Sequence, residues 1–147
     1  MITWSLKYFH DLSADELYNF LDLRNRVFVV EQNCIYQDTD SKDKKAYHLF
    51  AATEQQTVAY ARLLAPGLSY PEASIGRVCC DERFRQLGLG KELMLRAIDG
   101  CRTLFGTAAI RISAQLYLKG FYENLGFVAK GEKYLEDGIE HIEMLLQ

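Results

Sequence analysis

The residue types best suited to chemistry fall in one short run, Arg85-Gln86-Leu87-Gly88-Leu89-Gly90. Gly88 and Gly90 lack Cβ, so the chain can bend tightly there and a ligand can approach the backbone closely. An apolar, strand-like run, 75–80, precedes it, and a helical pattern, 91–105, follows. Strand, glycine-bearing loop and helix in that order present free backbone N–H groups at a helix N-terminus, where the peptide dipoles also favour an anion. Arg85 and Lys91 add positive charge. The simplest ligand for such a loop is a phosphate or pyrophosphate; the plainer alternative is an ordinary strand-to-helix turn. Neither Gly-x-x-x-x-Gly-Lys-Ser/Thr nor Gly-x-Gly-x-x-Gly occurs, which argues against a P-loop NTPase and a Rossmann dinucleotide site.

The whole chain must position that loop. Its 147 residues fit one domain, 1–147, and 49% hydrophobic with 25% charged residues is the balance of a globular protein with a real core. A net charge of −3 disfavours general nucleic-acid binding and is compatible with a small cationic partner. No secretory leader pattern and no apolar run of membrane-spanning length is apparent. Cys34, Cys79, Cys80 and Cys101 lack Cys-x-x-Cys spacing and read as reduced, packed thiols of a cytoplasmic protein. His10, His48 and His141 are scattered, so no metal is expected.

Ile2, Trp4, Leu6 and Tyr8 alternate with polar residues, which predicts a first strand. Ser13 and Glu16 have capping-box spacing, and Leu17, Phe20, Leu21, Val27 and Phe28 mark a helical face running to about residue 30. Residues 31–45 show no periodicity. Glu31, Asp38, Asp40 and Asp43 lie there beside Lys42, Lys44 and Lys45, either as a solvated charged loop or as a loop that attracts a cationic substrate. Two strands, 47–53 and 57–64, form a hairpin whose turn has no glycine, and the loop 65–73 holds both prolines. After the glycine loop, Leu93, Met94, Ala97, Ile98, Cys101 and Phe105 form a core-facing stripe ended by Gly106-Thr107. A strand at 108–113, a helix at 115–125 stopped by Gly126, and strands at 127–134 and 139–146 complete the chain. The last two join through Glu136-Asp137-Gly138, a hairpin signal. Helices alternating with strands imply a mixed sheet covered by helices.

Residues 78–94, with Arg85-x-x-Gly88-x-Gly90 at their centre, resemble the Arg/Gln-x-x-Gly-x-Gly/Ala signature of the GNAT superfamily of N-acetyltransferases. An independent stretch, Lys119-Gly120-Phe121-Tyr122-Glu123-Asn124-Leu125-Gly126-Phe127, looks like the Phe-Tyr-x-x-x-Gly-Phe element near the C-terminus of many such enzymes. Arg26 to Cys34, Tyr36-Gln37-Asp38, Asp40, and Glu136-Asp137-Gly138-Ile139 with His141 look like the ElaA-type subgroup. The resemblance covers essentially the whole chain. It implies an α/β (α+β) fold: a single GNAT-like domain with a mixed, mostly antiparallel sheet of six to seven strands, flanked by about four helices. The glycine loop would lie between a central strand and a helix.

The same resemblance implies acyl transfer from acetyl-coenzyme A, as co-substrate, to an amine acceptor of a small molecule or peptide. Val78, Cys79 and Cys80 would meet the pantetheine arm. Arg85, Gln86, Leu87, Gly88, Leu89, Gly90 and Lys91 would hold the pyrophosphate, and a strand N–H would polarise the thioester carbonyl. Tyr122 matches the family tyrosine that protonates the leaving thiolate; read by itself, it is a core tyrosine on an amphipathic helix. The strand 77–80 lacks the acidic residue that often serves as general base, which leaves Glu31, His48, His141 or a water chain. An acyl-cysteine route through Cys79 or Cys80 is disfavoured because no histidine adjoins them. The alternative to an enzyme is a non-catalytic coenzyme A or acyl-coenzyme A sensor, or an interaction module, on the same fold. Edge strands in this fold often pair, which leaves a homodimer open.

Overall fold

The computed structural model describes residues 1–106 and 108–147; Thr107, expected to help end a helix, lies outside the described residues. Strands β1 (Thr3–Tyr8), β2 (Tyr47–Ala52), β3 (Thr57–Leu64), β4 (Ala73–Cys80), β5 (Ile110–Gln115), β6 (Val128–Glu136) and β7 (Ile139–Leu146) form a seven-stranded sheet. Their order is β1-β2-β3-β4-β5-β7-β6, and β4 with β5 is its parallel pair. Helix α1 (Ala14–Arg24) runs on as a π-helical segment, Asn25–Glu31, and packs Phe20, Leu23, Val27 and Phe28 against Phe50, Tyr60 and Cys79 on one face. Helix α2 (Leu89–Phe105) and the short α3 (Lys119–Glu123) join the larger core on the other face.

Local chemistry accounts for most boundaries. The Ser13 hydroxyl accepts the Glu16 N–H at 3.1 Å while Glu16 Oε1 accepts the Ser13 N–H at 2.9 Å, the reciprocal cap that starts α1. The β2–β3 turn manages without glycine because Thr53 Oγ1 accepts the N–H groups of Gln55 and Gln56. Asp137 and Gly138, at φ 51° and 77°, make the tight β6–β7 turn that their pairing predicts. The α2 stripe is as expected, with Leu93, Met94, Ala97 and Cys101 fully buried.

Three expectations need correction. The strand at 108–113 is β5, Ile110–Gln115, because the alternation of buried Ile110, Ile112 and Ala114 continues until Gln115 pairs with His141. That shortens the helix expected over 115–125: Leu116–Leu118 is a 3₁₀ turn, and α3 covers only Lys119–Glu123. The loop expected over 85–90 is also shorter than that, because α2 already begins at Leu89. Glu82–Leu87 forms a 3₁₀ turn whose first N–H groups are capped by Asp81, which accepts the Arg83 N–H at 2.9 Å.

Candidate functional site

Among the described residues, β4 and β5 pair only at Ala73–Ile110 and Ser74–Arg111 and then part. Beyond that point each strand leaves ladder groups facing the gap. Strand β4 also carries a bulge: three steps from Gly76 to Cys79 oppose two from Arg62 to Tyr60, with Arg77 at φ 51°. A bulge takes one residue out of the ladder and re-aims its backbone groups. The gap opens into a cavity of about 890 Å³, whose wall follows β4 from Ser74 to Cys80 and ends at Arg85 and Gly90. A second depression, of about 600 Å³, lies over Arg26, Asp81 and Arg83, whose charges already pair with one another.

At the Cys80 end the chain enters α2 through Gly88, in the left-handed region at φ 74°. Gly88 has no side chain with which to cap the helix, so the N–H groups of the first turn from Leu89 on keep no capping partner. A Cβ built on Gly88 would meet nothing within 4 Å, and one on Gly90 only Phe121 Cζ at 4.0 Å, so both backbones are open to a ligand. Of the signature residues, Arg85 and Gly90 line the cavity. Gln86, Leu87, Gly88 and Lys91 are exposed beside it, and the Leu89 side chain is buried, leaving only its backbone to offer. This donor set, uncapped N–H groups at a helix start with open glycines and two cations, fits a pyrophosphate. Arg85 is at present turned back. It forms a bidentate ion pair with Glu31 at 2.6 and 2.8 Å and donates from Nε and Nη2 to the Cys80 carbonyl at 3.1 and 3.0 Å.

Tyr122 also lines the cavity and is 6% exposed, held edge-on by Phe121 and Phe127 at centroid distances of 5.1 and 5.9 Å. Burial raises the pKa of its phenol above the ordinary value of 10, so the hydroxyl is protonated across the physiological range. Cys79 is buried against the α1 face, and burial likewise raises its pKa. Burial pushes Cys80 up to about 11 despite the nearby Arg85 charge. Neither thiol is a thiolate at neutral pH, which leaves both poor nucleophiles. Val78 faces the same wall.

The three candidate bases have different surroundings. Glu31, the last residue of the π-helical segment, lines the cavity but is paired with Arg85, not with Arg24 or Arg26. His48 is fully buried, away from the cavity wall, and stacks on Phe20 at 4.8 Å. Its Nε2 lies 2.9 Å from the Asp43 carbonyl, which can only accept, so Nε2 carries the proton and Nδ1 accepts the Tyr60 hydroxyl at 2.6 Å. Burial holds this imidazole down at about 4, and both ring nitrogens are engaged. His141, in contrast, lies on the cavity wall. Its Nδ1 donates to the Ile139 carbonyl at 2.7 Å, which leaves the neutral ring's Nε2 as an acceptor, 3.5 Å from Glu136 Oε2.

The solvated charged loop at 31–45 is a further correction. Its residues Asp38 and Asp43 are buried on Arg24: Arg24 Nε meets Asp38 Oδ2 at 2.7 Å and Nη1 meets Asp43 Oδ1 at 2.8 Å. Arg62 bridges Asp40 and Asp43 at 2.7 and 3.0 Å, and Arg77 Nη2 donates to the Asp38 carbonyl at 2.8 Å. Burial works against the Asp43 carboxylate, but the Arg24 and Arg62 guanidiniums outweigh it and hold its carboxyl at about 2. Asp38 and Asp43 thus pin the loop to α1 and the sheet, while Asp40, paired with Arg62, also lines the cavity. Sequence reasoning missed Arg24, although a signal existed: it falls between Phe20 and Val27 on the apolar face of its helix. Anionic groups on the cavity wall come from Glu31 and Asp40 of this loop and from Glu136 and Asp137 in the last hairpin.

Among the described residues no group of three or more His, Cys, Asp or Glu is placed to hold a metal ion, and no helix is long and apolar enough to cross a membrane. A family model described as an acetyltransferase (GNAT) domain matches residues 10–147. Protein ElaA of Escherichia coli is 38% identical over 146 residues, 98% of this chain and 95% of that protein. Its crystal structure superposes with a TM-score of 0.92, covering 100% of both chains. An acyl-CoA N-acyltransferase from Pseudomonas aeruginosa, 41% identical, superposes with a TM-score of 0.93 over 99% of each chain.

Proposed function

The chain belongs to the GNAT acetyltransferase family, and from that membership we propose that it moves the acetyl group of acetyl-coenzyme A directly onto a primary amine of a small molecule or peptide. The observation that carries this reading is the continuity of the cleft. One cavity joins the unpaired edge of β4, the open helix start at Gly90 and the buried Tyr122 hydroxyl. A thioester donor needs those three things together: amide partners for its arm, N–H groups for its phosphates, and an acid for its sulfur.

Each residue then has a task. The open edge of β4 at Val78, Cys79 and Cys80 pairs with the donor's amide arm. The backbone freed by the bulge aims an N–H at the thioester oxygen, where charge develops during attack. The loop Arg85–Gly90, with Lys91, receives the pyrophosphate. Tyr122 Oη holds its proton at neutral pH and gives it to the departing thiolate. A primary amine such as a lysine side chain, with a pKa near 10.4, arrives protonated and must lose a proton before it attacks. His141 Nε2 is the acceptor that the geometry favours, because its Nδ1 partner fixes the tautomer and the ring lies on the cavity wall. Two protonated thiols support direct transfer over an acyl-cysteine route.

The test is thiol release from acetyl-coenzyme A across a panel of primary amines, with Tyr122→Phe beside the wild type. Turnover that falls by about 10²-fold or more in Tyr122→Phe, with donor binding retained, supports the acid role. Donor binding without turnover on any amine would overturn catalysis in favour of a coenzyme A sensor.

A further inference from the structure

Arg85 has more partners than a loop cation needs. Its guanidinium grips both oxygens of Glu31 at 2.6 and 2.8 Å and, with its other edge, the Cys80 carbonyl at 3.1 and 3.0 Å. Cys80 is the last residue of β4, on the stretch that β5 has left, so its carbonyl is one of the groups open to a molecule laid along that edge. Arg85, Glu31 and Cys80 all line the same cavity. The side chains of Arg85 and Glu31 are 40% and 37% exposed, so the pair is in contact with solvent and screened by it.

We propose that Glu31 is an exchangeable counter-ion for Arg85, displaced when the phosphates of the acyl-coenzyme A donor arrive. The proposal rests on the donor-binding reading above. In the free protein the carboxylate occupies the guanidinium fork that a phosphate would take, since each can present two oxygens to the two parallel N–H groups. Swinging the guanidinium toward the loop releases the Cys80 carbonyl at the same moment, opening the strand edge for the donor's arm. Glu31 is therefore unpaired only in the donor complex. Any part it takes in handling the amine follows donor binding and cannot precede it. The π-helical segment supports this, because it places Glu31 at the segment's last position, on the cavity wall.

The test is a double-mutant cycle read by calorimetric titration with coenzyme A, at fixed ionic strength, on the wild type, Glu31→Gln, Arg85→Met and the double variant. Losing the competing carboxylate should tighten coenzyme A by about two- to fivefold, the worth of an exposed pair. Arg85→Met should weaken binding, and Glu31→Gln should have no effect in the Arg85→Met background. Unchanged or weaker binding in Glu31→Gln overturns the exchange. Equal tightening in both backgrounds also overturns it, because it shows simple repulsion between Glu31 and the phosphates. A wild type that does not bind coenzyme A sinks the donor reading itself, whereas normal wild-type binding with a flat cycle sinks only the exchange.

Discussion

Lowering the pH from 7 to 5 should destabilise this protein by about 2 kcal/mol through one residue, His48. The imidazole is fully buried, its Nε2–H donates to the Asp43 carbonyl, and its Nδ1 accepts the Tyr60 hydroxyl. Protonation would make Nδ1 a donor, so the Tyr60 hydroxyl would have to turn its own proton away, and it would place a charge in the core beside Arg24 and Arg62. Burial therefore holds the folded pKa near 4, against 6.5 in the unfolded chain. Between those values the unfolded chain binds the extra proton and the folded one does not, so stability rises with pH, reaching its full value above about 6.5. It falls by up to ~1.4 kcal/mol per unit on the way down. At pH 5 the integrated loss is about 2 kcal/mol, and the remaining loss accrues as the pH falls through the folded pKa. Urea unfolding followed by circular dichroism at pH 5, 6 and 7 measures it, with His48→Gln as the control that removes the titrating group. A wild-type stability that stays level within a few tenths of a kcal/mol from pH 7 to 5 would show that His48 takes up its proton as easily in the folded state as in the unfolded one. A His48→Gln variant that keeps the wild-type slope would show that other groups set it.

Three further outcomes follow from the same geometry. Arg24→Met leaves Asp38 and Asp43 buried without their main counter-charge and should cost about 3–5 kcal/mol in denaturant unfolding, far more than loss of an exposed pair. Gly88→Ala should cost about 1–2 kcal/mol, from the left-handed backbone alone, since a Cβ there meets nothing within 4 Å. A loss below a few tenths would show that the loop relaxes out of that conformation. Cys80→Ala should leave thiol release close to the wild-type rate in the amine assay, whereas abolished turnover with intact donor binding would point to an acyl-cysteine step.

Much of this architecture is legible where local patterns and tertiary packing agree. The stripe from Leu93 to Cys101, the Ser13–Glu16 cap and the Asp137-Gly138 turn each carry their own local cause and stand where the sequence puts them. The segment after β5 misleads because Leu118, Phe121, Tyr122 and Leu125 have helical spacing, while the β5–β7 ladder holds Gln115 as strand. The charged loop misleads for a different reason. Nothing in the spacing of Asp38, Asp40 and Asp43 says that Arg24, Arg62 and Arg77 will meet them, because those arginines come from α1, β3 and β4. Pairing across elements is a property of the fold, and only Arg24, a charge on an apolar helical face, signals it locally. The candidate site divides in the same way. The glycine loop and Tyr122 are readable as contiguous motifs. The parting of β4 from β5, the partner of Glu31 and the separate surroundings of His48 and His141 require the assembled sheet.

On the function proposed above, the open helix start at Gly88 and Gly90 receives the pyrophosphate of acetyl-coenzyme A. The most direct measurement of this is the melting temperature with and without acetyl-coenzyme A, on the wild type and on Gly88→Trp. Ligand at a hundredfold excess over its dissociation constant adds about 2.7 kcal/mol to the folded state. For a chain of this size that corresponds to a rise of about 5–10 °C. That rise is expected in the wild type and should be lost in Gly88→Trp, where the indole covers the helix start. An unchanged wild-type melting temperature at saturating acetyl-coenzyme A, or a full rise retained in Gly88→Trp, would contradict this placement of the pyrophosphate.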